Sequence, residues 1–162
     1  MYLNTIEDLY NGEILAYCLS DSPNAKLCAD TIEILCSSWG ECFRGAIIHN
    51  DLGSSYLSYE YRAAIEAHGI IQSIGRVATC YDNAPMKSLN GIIKTEALYC
   101  RFGKTRVKEK RVPISEIIEA VIEFIAFYNN ERPKASNGGL SPVQFRLQNP
   151  NGTYPAVIHT KK

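Results

Sequence analysis

Apolar and polar positions along the chain switch repeatedly between a two-residue and a roughly four-residue period, which predicts short strands alternating with helices. Met1–Ile6 reads as a strand, and Ile14-Leu15-Ala16-Tyr17-Cys18-Leu19 as a second. Asp8–Glu13 lies between them and contains Asn11-Gly12, a strong hairpin-turn signal. Ser22-Pro23 predicts a helix start, with serine as cap and proline at the first position. Leu27, Thr31, Ile32, Ile34 and Leu35 then form a buried stripe up to about Ser38. Ala46-Ile47-Ile48-His49 is a short strand with little alternation, the pattern of a strand covered on both faces in a parallel α/β sheet. A helix follows from the Ser58 cap to His68 and is stopped by Gly69. Ile70–Ile74 is another strand, and Gly75–Asn83 a polar loop. Met86, Leu89, Ile93 and Ala97 mark one face of a helix over Ala84–Tyr99. A last long helix spans Ser115–Tyr128 with Ile117, Ile118, Val121, Ile122 and Ile125 inward. Pro133 and Gly138-Gly139 break regular structure. Ser141-Pro142-Val143-Gln144-Phe145 gives one more capped turn, and the polar tail from Asn149 is expected to fray.

The 162 residues suit one domain, and a hydrophobic share of 46% supports a real core rather than disorder. Formal net charge is zero, which argues against a strongly basic nucleic-acid module but leaves room for a local patch. Lys104, Arg106, Lys108, Lys110 and Arg111 fall within eight positions. They read as a solvated loop first and a phosphate-binding patch second. The six cysteines form no C-x-x-C pair, and His49, His68 and His159 lack zinc-ligand spacing. Reduced, mostly buried thiols are therefore expected. No segment reaches the ~20 apolar residues of a membrane span, and the N-terminus lacks the pattern of a signal peptide. A cytoplasmic location is the expectation.

Two motifs carry the chemistry. His49-Asn50-Asp51-Leu52-Gly53-Ser54-Ser55-Tyr56 puts a carboxylate at the carboxyl end of a buried strand, where α/β sheets bind ligands. From the residues alone, Asp51 either reaches a hard cation or bonds amides of the Gly53-Ser54 turn. Tyr81-Asp82-Asn83-Ala84-Pro85-Met86-Lys87-Ser88 opens the following helix, with thirty-five residues between Asp51 and Lys87. Together the motifs resemble the catalytic core of insertion-sequence transposases of the retroviral-integrase type. The family patterns H-S-D-Q-G-S-Q-Y and Y-D-N-A-x-M-E-S lie close to them, with departures at Asn50, Leu52, Ser55 and Lys87. Tyr128-Asn129-Asn130-Glu131-Arg132-Pro133 resembles the family's Y-N-x-x-R-P-H, with Lys134 at the histidine.

The resemblance implies an α/β, ribonuclease-H-like mixed sheet with flanking helices over residues 1–147, followed by a polar tail over 148–162. It implies DNA integration and transposition by phosphodiester transfer on Mg2+ or Mn2+, with Asp51 as the second catalytic aspartate and metal ligand. Lys87 stands at the catalytic glutamate's position. An ammonium there offers no acceptor oxygen and repels divalent cations, so this chain is expected to be inactive by itself. Lys87 is instead expected to pair with Asp51 in place of the cation. Glu96, nine positions on, lies ~13 Å farther along the helix and cannot fill the vacancy. Asp82 reads as a helix cap or loop anchor, and Asp8 as part of the hairpin. Lys94 either contacts DNA or is an exposed solubilising lysine. Arg132 either bonds phosphate or caps the preceding helix, with the cap favoured.

The family's first strand, which bears its first aspartate, should precede residue 1, as should its end-binding helix-turn-helix. That strand is central, so two interior sheet edges are expected to be open, inviting strand donation from another chain. The partners implied are DNA and either a second copy or an intact transposase. The alternatives are a non-catalytic DNA-binding or transposase-pairing protein, or the remnant of a decayed mobile element.

Overall fold

The computed structural model describes residues 1–75 and 84–149, and the backbone of a strand at Ile158–Lys161. Cys80, Tyr81, Asp82 and Asn83, to which the sequence assigns a loop and a cap, lie outside the described residues.

The chain opens with β1 (Tyr2–Asp8) and β2 (Ile14–Ser20), an antiparallel pair with one irregularity of register between Ile6 and Glu7. Helix α1 spans Ala25–Trp39. Strand β3 (Ile47–Asn50), helix α2 (Tyr59–Ala67) and strand β4 (Ile71–Ile74) form a parallel βαβ unit. Helix α3 (Ala84–Ile92) runs through a π-helical stretch at Ile93–Tyr99 into the single turn α4 (Cys100–Phe102). The short α5 (Lys104–Lys108), the long α6 (Ile114–Asn130), α7 (Pro142–Gln148) and β5 (Ile158–Lys161) complete the chain. This is the ribonuclease-H-like, mixed α/β class expected.

The sheet order is β2-β1-β5-β3-β4. Strand β5 runs antiparallel to β1 and parallel to β3. It occupies the central place where two open edges are expected, and it comes from the tail expected to fray. The physical reason is the edges themselves: two facing rows of backbone N–H and C=O groups supply partners that a short polar strand lacks in isolation.

Two apolar clusters sandwich the sheet. On the α1 and α2 side, Ile6, Cys28, Ile32, Leu35, Phe43, Ile48, Tyr56, Tyr61 and Ile65 pack together. On the other, Ile14 meets Met86, Leu89 and Ile93 from α3 and its π extension, and Val121, Phe124, Ile125 and Tyr128 from α6. The α3 stripe is as expected. The α6 face is turned from the expected one, leaving Ile122 exposed and burying Ala120, Phe124 and Tyr128. Phe124 and Tyr128 carry more apolar area than Ile122, and the face that buries both leaves Ile122 and Phe127 outside. In α1 the buried face runs through Cys28 and Cys36, and Ile34 is exposed. The cap is Asn24, whose Oδ1 accepts the Leu27 N–H at 3.0 Å, rather than Ser22. Asparagine caps at least as well as serine and stands directly before the first helical residue. Ser58 and Ser141 cap α2 and α7 as expected, the latter in a full capping box with Gln144. The basic run folds partly as α5 and is largely exposed. Of the described cysteines, all are free; Cys28 and Cys36 are buried, whereas Cys42 and Cys100 are exposed.

Side chains from the last third of the chain hold the first hairpin. The Asn129 amide bonds both backbone groups of Ile14, at 2.9 and 2.8 Å. Asn137 donates to the Asn11 carbonyl at 2.8 Å. Arg146 grips the buried Glu13 carboxylate with two bonds of 2.7 and 3.1 Å. Glu7, also buried, has Lys134 Nζ 3.7 Å away. Burial pushes the Glu7 carboxyl up to about 7, against the opposing pull of Lys134. Lys134 lies so close over Gly12, at φ +75°, that a Cβ there would sit 1.5 Å from Nζ.

Two predictions follow from this packing. The fully buried Tyr56 hydroxyl donates to Asn4 Oδ1 at 3.1 Å, while the Asn4 amide donates to Thr31 at 2.9 Å. Tyr56→Phe strands a buried acceptor and is expected to cost ~1–3 kcal/mol in urea unfolding. Glu7 binds its proton more tightly folded than unfolded, because its carboxyl lies at about 7 in the fold against 4.5 in the free chain. Stability is therefore highest below pH 4.5 as far as this group is concerned, and falls as pH rises through about 7. Glu7→Gln should flatten the thermal-melting profile across that window; an unchanged slope would refute the assignment.

Candidate functional site

Asn50, the last residue of β3, is a buried amide that follows Ile47, Ile48 and His49. Its amide nitrogen donates to the Tyr61 hydroxyl of α2 at 3.0 Å, and its Oδ1 accepts from Gln72 of β4 at 3.3 Å. Gln72 also donates to the Tyr56 carbonyl at 2.8 Å. On the same pair of strands, His49 Nδ1 and Ser73 Oγ are 3.1 Å apart. These bonds fix the carboxyl end of β3 to its neighbours on both sides of the following loop.

Asp51 comes next, partly buried. Its Oδ1 accepts the Gly53 N–H at 2.9 Å, and the Tyr56 N–H closes the turn on the Gly53 carbonyl at 2.9 Å. The turn-forming bond considered from sequence is thus present, and it engages one carboxylate oxygen. Gly53 leaves room for this carboxylate: a Cβ would lie 2.9 Å from Asp51 Oδ1 and 3.3 Å from the Tyr56 ring, so the carboxylate would have to shift. Leu52, at the family's glutamine position, points outward and is 45% exposed.

Lys87 projects from α3 and is exposed, next to the fully buried Met86. Lys94 projects from the π-helical stretch and is also exposed. Both lysines line a cavity of about 530 Å³ together with Asn90, Gly91 and the first residues of β1. Asp51 is not among its lining residues. Among the described residues no ion pair joins Lys87 to Asp51, so the expected substitution of ammonium for cation is not formed. An exposed ammonium keeps its hydration, which a single carboxylate does not replace.

Arg132 is placed differently from either role considered for it. Its guanidinium holds the Glu96 carboxylate with two bonds, Nε at 2.8 Å and Nη2 at 2.7 Å, and lies 5.6 Å from the centre of the Tyr128 ring. This fork geometry is the strong form of an arginine–carboxylate pair. It holds the Glu96 carboxyl below the usual carboxylate range. The end of α6 is closed by the Arg132 backbone N–H on the Phe127 carbonyl at 2.9 Å, not by the side chain. Asp8 is buried at the end of β1, where its Oδ1 accepts the Tyr10 N–H at 2.9 Å inside the hairpin turn.

A pair of divalent ions ~4 Å apart needs several carboxylate oxygens converging on one point. Among the described residues no group of three or more histidine, cysteine, aspartate or glutamate side chains is assembled to hold a metal. Asp51 is tied to its turn, Glu96 to Arg132, and Asp8 to the hairpin. The donor set on these residues does not fit the two-ion site. Sequence reasoning passed over the Asn50–Tyr61–Gln72 anchor; an amide directly after a strand expected to be covered on both faces was the available signal.

No helix among the described residues is long and apolar enough to cross a membrane. The family model for the integrase core domain matches residues 1–80, and a second model of the same description matches residues 88–149. An uncharacterized transposase-like protein of Haemophilus influenzae is 36% identical over 93% of this chain and 65% of its own length. Transposase InsF of insertion sequence IS3A from Escherichia coli is 29% identical over 92% of this chain and 49% of its own. The chain thus spans roughly half to two thirds of these relatives. Among solved structures, the simian T-cell lymphotropic virus intasome contains a chain that superposes with a TM-score of 0.66 at 18% identity, covering 88% of this chain and 47% of that one. The HTLV-2 integrase catalytic core domain, solved in complex with magnesium, gives 0.59 at 16% identity, covering 86% and 81%. The fold of these cores is the fold described above, and the chain belongs to the insertion-sequence transposases that carry an integrase core domain.

Proposed function

We propose that this chain is the core of a DNA transposition machinery, inherited for integration of mobile-element ends by phosphodiester transfer, and that it does not perform that transfer unaided. The supporting observation is the placement of Asp51: a carboxylate held by the Asn50 anchor and the Gly53 turn at the carboxyl end of β3, in a chain of integrase-core ancestry. Mg2+ or Mn2+ would supply Lewis-acid activation in an intact core. In this reading Asp51 would contribute to such a site, and Lys87 opposes cation binding at the glutamate's position. Incubating the chain with duplex DNA and Mn2+ is expected to give no nicked or joined product. A product from the wild-type chain that disappears in Asp51→Ala would overturn the inactivity.

A second reading, DNA binding without chemistry, is favoured by Lys87 and Lys94 sharing one cavity while neither is neutralised by an ion pair among the described residues. In this reading Lys94 contacts phosphate and Arg132, committed to Glu96, acts by holding the end of α6 against the π-helical stretch. The partners would be element or target DNA and a second copy or intact transposase. Binding to duplex DNA is expected to weaken with salt. Lys94→Ala should reduce the slope of log affinity against log salt by about 1. Binding that is flat at low salt, or a slope unchanged by the substitution, would remove this reading.

A further inference from the structure

The two halves of the sheet are joined by a strand that belongs, in sequence, to neither. Strand β1 ends at Asp8 and β3 at Asn50, yet β5 begins at Ile158. On one edge it pairs Thr5 with Lys161, Ile6 with Thr160, Glu7 with His159 and Asp8 with Ile158. On the other it pairs Ile48 with Ile158, His49 with His159 and Asn50 with Thr160. Strands β1 and β3 are not neighbours in the sheet. Without β5 both would present unpaired edges in the middle of the fold.

We infer that this central slot accepts β5 from a second copy of the chain, so that two copies exchange the strand and close a two-fold pair. Main-chain ladder bonds carry no record of which copy supplies the strand, so exchange preserves every pairing named above. Residues 149–157 link α7 to β5; nine residues reach about 30 Å when extended. Among the described residues β5 pairs only with β1 and β3, both more than a hundred residues away in sequence. The free-energy difference between the closed and exchanged forms then reduces to loop-closure entropy against the concentration of copies. A formal net charge of zero leaves little long-range repulsion to keep copies apart.

The test uses the full chain. Light scattering on the wild type, after refolding at increasing concentration, should show a species of twice the chain mass whose share grows with concentration. Thr5→Cys combined with Lys161→Cys marks one register pair of the β1–β5 ladder. Mixing nitrogen-15-labelled and unlabelled copies of this double variant before refolding and oxidation allows the linked peptides to be sorted by mass. In the two-chain fraction about half of the 5–161 disulfides should join a heavy to a light chain, and in the one-chain fraction none. A wild-type chain that stays single at every concentration overturns the proposal. So does a two-chain species whose 5–161 disulfides all lie within one copy, which is surface association. Absence of the 5–161 disulfide from both fractions removes β5 from the slot altogether. Thr160→Pro, which deletes a ladder N–H, should abolish the two-chain species; its persistence would count against exchange.

Discussion

The edges of β1 and β3 that face each other must find hydrogen-bonding partners, and the rest of the fold depends on how they do so. Each buried backbone group left unpaired costs ~1–3 kcal/mol, and a domain's whole stability is ~5–15 kcal/mol. A gap several residues long is therefore incompatible with an ordered sheet. Strand β5 closes it with four residues. The same closure bears on Asp51, which is the first residue beyond β3, a strand paired with β4 on one side and β5 on the other.

A second layer of constraint comes from polar side chains reaching back over the first hairpin. Asn129, Asn137 and Arg146 each satisfy a group of residues 11–14 that the strand ladder leaves unsatisfied. The motif around Tyr128–Pro133, which in sequence invites a DNA-contacting reading, is here largely architectural. Its asparagine holds the start of β2 and its arginine holds Glu96. The cost of this packing is concentrated at Glu7, whose carboxyl is buried beside Lys134 and made far less acidic than in water.

Local features were legible in the sequence because their causes are local. The Asn11-Gly12 turn, the Ser58 and Ser141 caps, the short strands at Ile47 and Ile71, and the Met86–Ala97 stripe all arise from residues within a turn or two of one another. The motif was legible as well: Asp51 stands at a strand end, in a turn where a Cβ at position 53 would press on its carboxylate. What was not legible depends on distant partners. The facing of α6 is set by competition among apolar side chains for one sheet surface, which Phe124 and Tyr128 win over Ile122. Arg132 could not be assigned to Glu96 from a spacing of thirty-six residues. Strand β5 has too weak a pattern to be read as a strand, since it owes its conformation to edges more than a hundred residues away.

That separation has a kinetic side. The β1–β2 hairpin and the β3–α2–β4 unit use short-range contacts and can form as soon as their residues emerge during synthesis. The strand that unites them is made about 150 residues after β1, so the two halves must persist unjoined while the remainder is translated. Contacts of such sequence separation slow folding and lengthen the exposure of apolar edges. The order in which this sheet is completed is thus set by β5, whatever the stability of the finished sheet.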